Sequence, residues 1–234
     1  MSRAGTGPDD LEPSARAALE AIVEQVASDS SAPSGVRRRE DAWRVHIADS
    51  LSGLEVGSLR RARSIADVGA GAGFPGLPLA VALPSARIDL IEATARKCQF
   101  IERSIRATRL PNARVVCRRA EEWAGADPPA GGRAAYEAVT ARAVGRLATL
   151  AELSSPLLAD RGVLVAWKGR RDDDEEAEMD RAGEHVAMEV EDVRWVGPYA
   201  GSRNRHIYVL RKTGPTPPQL PRRPGMAKKR PYGT

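Results

Sequence analysis

The chain has 234 residues, 42% of them apolar, and a formal net charge of +5; this size and composition suit one sizeable α/β domain with appendages, large enough to bury a core without staples. No apolar run reaches the 18 residues that a membrane span needs, and the opening MSRAGTGPDDLEPSAR lacks the apolar stretch of an export signal, so neither export nor a membrane partner is expected, and a cytoplasmic protein is. Two cysteines, Cys98 and Cys117, stand in apolar surroundings without C-x-x-C spacing; they are read as packing residues of a reducing compartment, and no metal site is expected.

In chain order, Leu19, Ile22, Val23 and Val26 recur at helical spacing, and SDSSAPSG (28–35) breaks that helix. A second helix runs through Trp43, Ile47 and Leu51. Past Gly53, short apolar runs alternate with helical patterns: SIADV, RIDLIE, ARVVC, YEAVTA and GVLVAW, the rhythm of βαβ units and a mostly parallel sheet. The acidic run Asp172–Glu176 opens a further helix, where carboxylates suit the N-terminal dipole, and is read as a solvated face. EVEDVRWV and RHIYVLRK read as two strands that close the sheet as an antiparallel pair.

From Arg211 onward there are seven Lys or Arg residues and no Asp or Glu. That exceeds the excess of the whole chain, so the remainder is net acidic and any polyanion affinity is assigned to this tail, with help from Arg37–Arg39 and from Arg60, Arg61 and Arg63. PTPPQLPRRPGMAKKRPYG is too rich in Pro and charge to be expected in a core, and an extended or mobile tail is predicted. Arg222, Arg223, Lys228, Lys229 and Arg230 are its candidate phosphate contacts, and removing the tail is expected to leave small-molecule binding intact.

The stretch ADVGAGAGFPGLPLA (66–80) follows the first strand and leads into a helix. Its glycines permit positive φ and close backbone approach, and the helix start offers unpaired N–H groups, which defines a nucleotide-type site. Gly71, Gly73 and Gly76 satisfy G-x-G-x-x-G, and Glu92 ends the next strand at the distance expected of a ribose-binding carboxylate. Asp67 helps to choose the ligand. A carboxylate there opposes a pyrophosphate but suits the α-amino group of a methionine moiety, reached directly or through water. Lys168, at the end of the fifth strand, is read equally as an RNA phosphate contact and as a solvated lysine. DPPA (127–130) lacks the stacking aromatic of amino-methylating enzymes and is read as a loop.

The run DVGAGAGFPGLPLA, the upstream VHIADSL, RAEEW, TARAV, WKG and the terminal PRRPGMAKKRP together resemble the RsmG (GidB) family of bacterial small-subunit rRNA methyltransferases, over roughly His46 to Pro231. The resemblance implies a class I S-adenosylmethionine-dependent methyltransferase fold, Rossmann-like, with a mostly parallel sheet and helices on both faces. It implies an N-terminal helical extension (1–58), a methyltransferase domain (59–212) and a basic Pro-rich tail (213–234). The implied activity is methyl transfer to N7 of a guanine in 16S rRNA, with S-adenosylmethionine as cofactor, the rRNA or small ribosomal subunit as partner and a monomer as the working form. Gly69, Phe74, Ala120, Glu121 and Arg142 match donor-binding or active-site positions, joining Asp67, Gly71, Gly73 and Glu92; His46, paired with Asp49 on one helix, is placed near the site and joins the RNA-binding candidates. Guanine N7 has an in-plane lone pair and no proton to lose. The reaction needs no general base or nucleophile, so Arg142 is named only as a positioning residue, gripping either the guanine or the donor carboxylate. An rRNA-binding assembly factor that retains the fold and a nicotinamide-dependent oxidoreductase are the rival readings.

Overall fold

The computed structural model describes residues 11–234; most of the opening segment read for an export signal lies outside them. Helix α1 (Pro13–Ser28) starts on a proline, where no N–H is needed, and buries Leu19, Ile22, Val23 and Val26 on one face. Each such side chain contributes about 1.5–3 kcal/mol when fully buried. After the Ser/Pro/Gly break, α2 (Arg39–Ala42), a π-helical turn (Trp43–Ala48), α3 (Asp49–Leu51) and a 3₁₀ turn (Ser52–Glu55) follow without interruption. The helix α4 (Gly57–Arg61) then leads to the sheet.

The sheet region alternates as the apolar runs predict: β1 (Ser64–Val68), α5 (Gly76–Ala82), β2 (Arg87–Ile91), α6 (Ala95–Thr108), β3 (Ala113–Val116), α7 (Ala120–Trp123), β4 (Tyr136–Arg142), α8 (Leu147–Ser154), β5 (Leu158–Lys168), α9 (Asp173–Val186), β6 (Met188–Trp195) and β7 (His206–Lys212), with a short α10 (Met226–Lys229) beyond it. The seven strands are ordered β3-β2-β1-β4-β5-β7-β6. The first five are parallel; β7 inserts antiparallel between β5 and β6. Alternate residues of one strand serve opposite layers, Ile65 packing with Leu19, Leu77 and Phe100, and Ala66 and Val68 packing with Leu147, Leu150 and Met179. Both faces are therefore covered, as buried parallel strands require. Within the second layer Asp89 is fully buried and accepts two bonds from Arg114 and one from the Tyr136 hydroxyl, which in turn accepts from the Trp123 indole at 2.8 Å.

Three expectations are corrected here. The C-terminal segment is packed rather than mobile: Leu220 and Ala227 are buried, Arg222 makes a two-pronged ion pair with the buried Glu152, and its guanidinium lies 4.1 Å from the Tyr232 ring. The prolines explain why so polar a segment orders, because they leave little backbone entropy to lose. Cys98 and Cys117 are not separate packing residues but are joined as a disulfide, with Cys117 exposed at the end of β3. In the acidic run, Asp172 caps α9 through a bond from the Glu175 N–H, yet Glu175 is buried and Glu176 is paired with Arg171, so only part of the run is solvated. No helix among the described residues is long and apolar enough to cross a membrane.

Candidate active site

The glycine loop lies between the end of β1 and α5, at the C-terminal end of the sheet, where open α/β sheets bind ligands. Gly69 has φ +70°, and a side chain there would meet Val144 Cγ2 at 2.7 Å; the loop and the β4 end pack too closely for anything larger. Gly73, at φ +91°, closes the loop onto Leu77 and faces away from the ligand side. Glu92 holds the loop from the next strand: its Oε2 accepts from Gly71 N at 3.1 Å and its Oε1 from Thr94 N at 2.9 Å.

Above these residues is a cleft of about 490 Å³. Gly69, Glu92, Ala120 and Glu121 line it together with apolar Val68, Ile91, Ala93 and Leu153, so the structure brings four of the residues designated for the donor to one cavity. Asp67 is not among them. Its carboxylate is fully buried and spent internally, accepting from Gly76 N at 2.9 Å and from the Thr140 hydroxyl at 2.9 Å. Burial pushes its pKa up to about 6 against those two bonds. Asp67 thus fastens the loop to α5 and β4, with each carboxylate oxygen already accepting one internal hydrogen bond.

Arg142 is the centre of a second cluster. Its Nη1 donates to Asp49 Oδ2 at 2.9 Å and to Val45 O at 3.0 Å, while its Nη2 faces His46 Nδ1 at 3.2 Å. A guanidinium can only donate, so Nδ1 accepts and the ring proton sits on Nε2, which donates to Ser34 Oγ at 2.8 Å. Burial and the Arg142 charge lower the His46 pKa to about 4. Phe74 stacks on that imidazole at 4.4 Å and lies 5.5 Å from the Arg142 guanidinium. Phe74 and His46 therefore support the arginine, and His46 is half-buried with both ring nitrogens engaged. Arg142, Asp49, Trp167, Arg205 and His206 line a second cavity of about 190 Å³.

Two further candidates change role. Lys168 is neither a free phosphate contact nor a solvated lysine, because its ammonium is held by Glu175 at 2.6 Å and by Gly145 O at 2.9 Å. Arg222 is the tail's anchor on Glu152. Arg223, Lys228, Lys229 and Arg230 remain exposed. The sequence reading missed Ser34, Trp167, Arg205 and the exposed pair Arg118 and Arg119. Only the last left a local sign, two adjacent arginines directly before the AE pair; the others reach their places through long-range folding.

The fold and the two adjoining cavities at the strand ends define a class I methyltransferase. A solved fibrillarin from Aeropyrum pernix, with natively bound S-adenosyl-L-methionine, is similar in fold, with a TM-score of 0.53 at 16% identity over 70% of this chain and 72% of that one. Residues 30–207 match the family model GidB, described as rRNA small subunit methyltransferase G, and the chain belongs to that family. Curated relatives carry the name Ribosomal RNA small subunit methyltransferase G. The one from Desulfitobacterium hafniense is 37% identical over 80% of this chain and 75% of its own length, and the one from Pelotomaculum thermopropionicum 38% over 80% and 77%.

Proposed function

We propose that the chain transfers a methyl group from S-adenosylmethionine to N7 of a guanine in 16S rRNA of the small ribosomal subunit, in the cytoplasm. The observation that carries this reading is a partition: Val144 lines the larger cleft, while Arg142 and Ala143, two residues and one residue earlier, line the smaller cavity. Donor and acceptor are thereby assigned to the two sides of one short backbone segment at the end of β4.

The larger cleft fits the donor by its chemistry. Its apolar lining suits an adenine, and each Glu92 oxygen, already holding one backbone N–H, keeps lone-pair capacity for the ribose hydroxyls. Gly69, Gly71, Ala120 and Glu121 complete the donor set, with Asp67 and Gly73 fixing the loop from behind. S-adenosylmethionine supplies the electrophilic methyl group. Arg142, fixed by Asp49 and Val45, directs its remaining N–H bonds at the O6 edge of the purine and leaves N7 free to attack. No residue is asked to remove a proton. Asp49, Asp67, His46 and His206, titratable groups nearby, are engaged in internal hydrogen bonds. Orientation supplies the acceleration, worth up to about 7–11 kcal/mol in well-aligned cases.

The test is incubation of the purified chain with radiolabelled S-adenosylmethionine and small subunits lacking the modification, followed by borohydride and aniline cleavage, which cuts RNA at N7-methylguanine. One labelled methyl per particle and scission at a single guanine are expected. Binding of the subunit without transfer would favour the assembly-factor reading instead. Thermal stabilisation by S-adenosylmethionine and none by NAD is expected in the same preparation.

A further inference from the structure

The outer side of the larger cleft is not made by the sheet. Gly225, Ala227, Lys228 and Lys229 of the C-terminal segment line it, facing Arg118 and Arg119 from the turn between β3 and α7. Two fastenings place the segment there. Glu121 Oε1, on the cleft wall, accepts from Gly225 N at 2.7 Å, and the Thr149 hydroxyl donates to Ala227 O at 3.2 Å. A third, Arg222 on Glu152, lies outside the cleft lining. Arg118, Arg119, Lys228 and Lys229 are all exposed, and none makes an ion pair among the described residues.

Four cations without an ion-pair partner line a cleft that holds two carboxylates, Glu92 and Glu121, and the donor does not offset the excess, since its carboxylate is outweighed by its own ammonium and sulfonium. A phosphodiester relieves it. We propose that residues 225–229 are the outer wall of the donor cleft and, together with Arg118 and Arg119, seat an RNA backbone phosphate across its mouth, so that donor and RNA bind cooperatively. This inference rests on the donor reading above. The segment is one body: whatever orders it for the donor presents Lys228 and Lys229 to RNA, and the reciprocal effect follows from linkage.

Calorimetry of S-adenosylhomocysteine binding to the full chain, with and without a short single-stranded RNA oligonucleotide, tests it. A wild-type chain that binds no S-adenosylhomocysteine would overturn the donor reading itself. With binding established, Arg222→Ala, which touches no cleft residue, is expected to weaken donor affinity about tenfold, and RNA is expected to tighten it at least about fivefold, the lower end of ordinary coupling. Lys228→Ala/Lys229→Ala is expected to abolish that enhancement. Should Arg222→Ala fold poorly, trypsin on the wild type supplies a second measure: cleavage after Lys228 and Lys229 is expected to slow severalfold with S-adenosylhomocysteine bound. Wild-type donor affinity in a folded Arg222→Ala, RNA without effect on donor affinity, or cleavage indifferent to the ligand would each overturn the proposal.

Discussion

Both extensions of the sheet fold back onto its C-terminal end, and they do so with opposite electrostatics. The N-terminal one brings Asp49 against Arg142, holds His46 neutral and places a second arginine, Arg205, 3.9 Å from the same carboxylate. Around Arg142 the charge is compensated by a buried carboxylate. The C-terminal one neutralises only its anchor, Arg222, and leaves Lys228 and Lys229 open at the rim. The contrast separates two jobs that look alike in a charge count: a cation with a buried carboxylate partner holds the fold, while a cation left unpaired beside a cleft is available to a ligand.

Removing the compensation should produce the largest effect. Asp49→Ala leaves Arg142 largely buried without its partner, a change that typically costs about 3–5 kcal/mol; denaturant unfolding should show that loss, and methyl transfer should fall with it. Equal stability of variant and wild type would place the N-terminal extension on the same footing as the tail.

A pH series comes next. His46 titrates at about 4 in the fold against an ordinary 6.5, so its contribution is complete above pH 6.5 and is lost as the pH falls towards 4. The amount is at most about 3 kcal/mol at roughly 1.4 kcal/mol per pH unit. Asp67 acts in the opposite sense: raised to about 6 from 3.8, it costs stability as the pH rises through that interval. Melting temperatures of His46→Gln and Asp67→Asn measured between pH 4 and 7 should therefore depart from wild type at opposite ends of that range.

Glu92→Ala leaves both extensions untouched and serves as the donor-side reference. It should weaken S-adenosylmethionine binding by about 1–3 kcal/mol in calorimetry through loss of charge-assisted hydrogen bonds. Unchanged affinity would mean that ribose recognition lies elsewhere. The smallest effect is expected at Arg223 and Arg230, exposed and unpaired among the described residues. Each alanine variant should keep stability within about 0.5 kcal/mol, and should flatten the logarithmic salt dependence of single-stranded RNA binding by about 0.7 if it removes one phosphate contact.

The sheet was legible because each strand is a short apolar run bounded by polar turns, a local pattern that needs no tertiary information. The glycine loop and Glu92 were legible for the same reason, being fixed by spacing within one βαβ unit. The internal bonds of Asp67 were not legible, because its position at a strand end says nothing of Thr140, a residue 73 positions away that donates to its carboxylate. Composition failed for the tail as well. Leu220 and Ala227 are too few to mark a packed segment, and the carboxylates that fix it, Glu121 and Glu152, belong to other elements. His46 and Asp49 could be seen to share a helix face, but their meeting with Arg142 depends on where the π-helical turn sets down against β4.

The indole of Trp123 gives the molecule a built-in optical probe. It ends the short helix that begins at Ala120 and Glu121 on the cleft wall, and its N–H is tied to the Tyr136 hydroxyl inside the buried Asp89 network. A ligand pressing on that helix changes the polarity around this indole; Trp167, also buried, answers to the second cavity, whereas Trp195, 63% exposed at the far edge of the sheet, stays in water and serves as an internal standard. Donor occupancy is therefore open to titration by the blue edge of the chain's own emission, with no label attached.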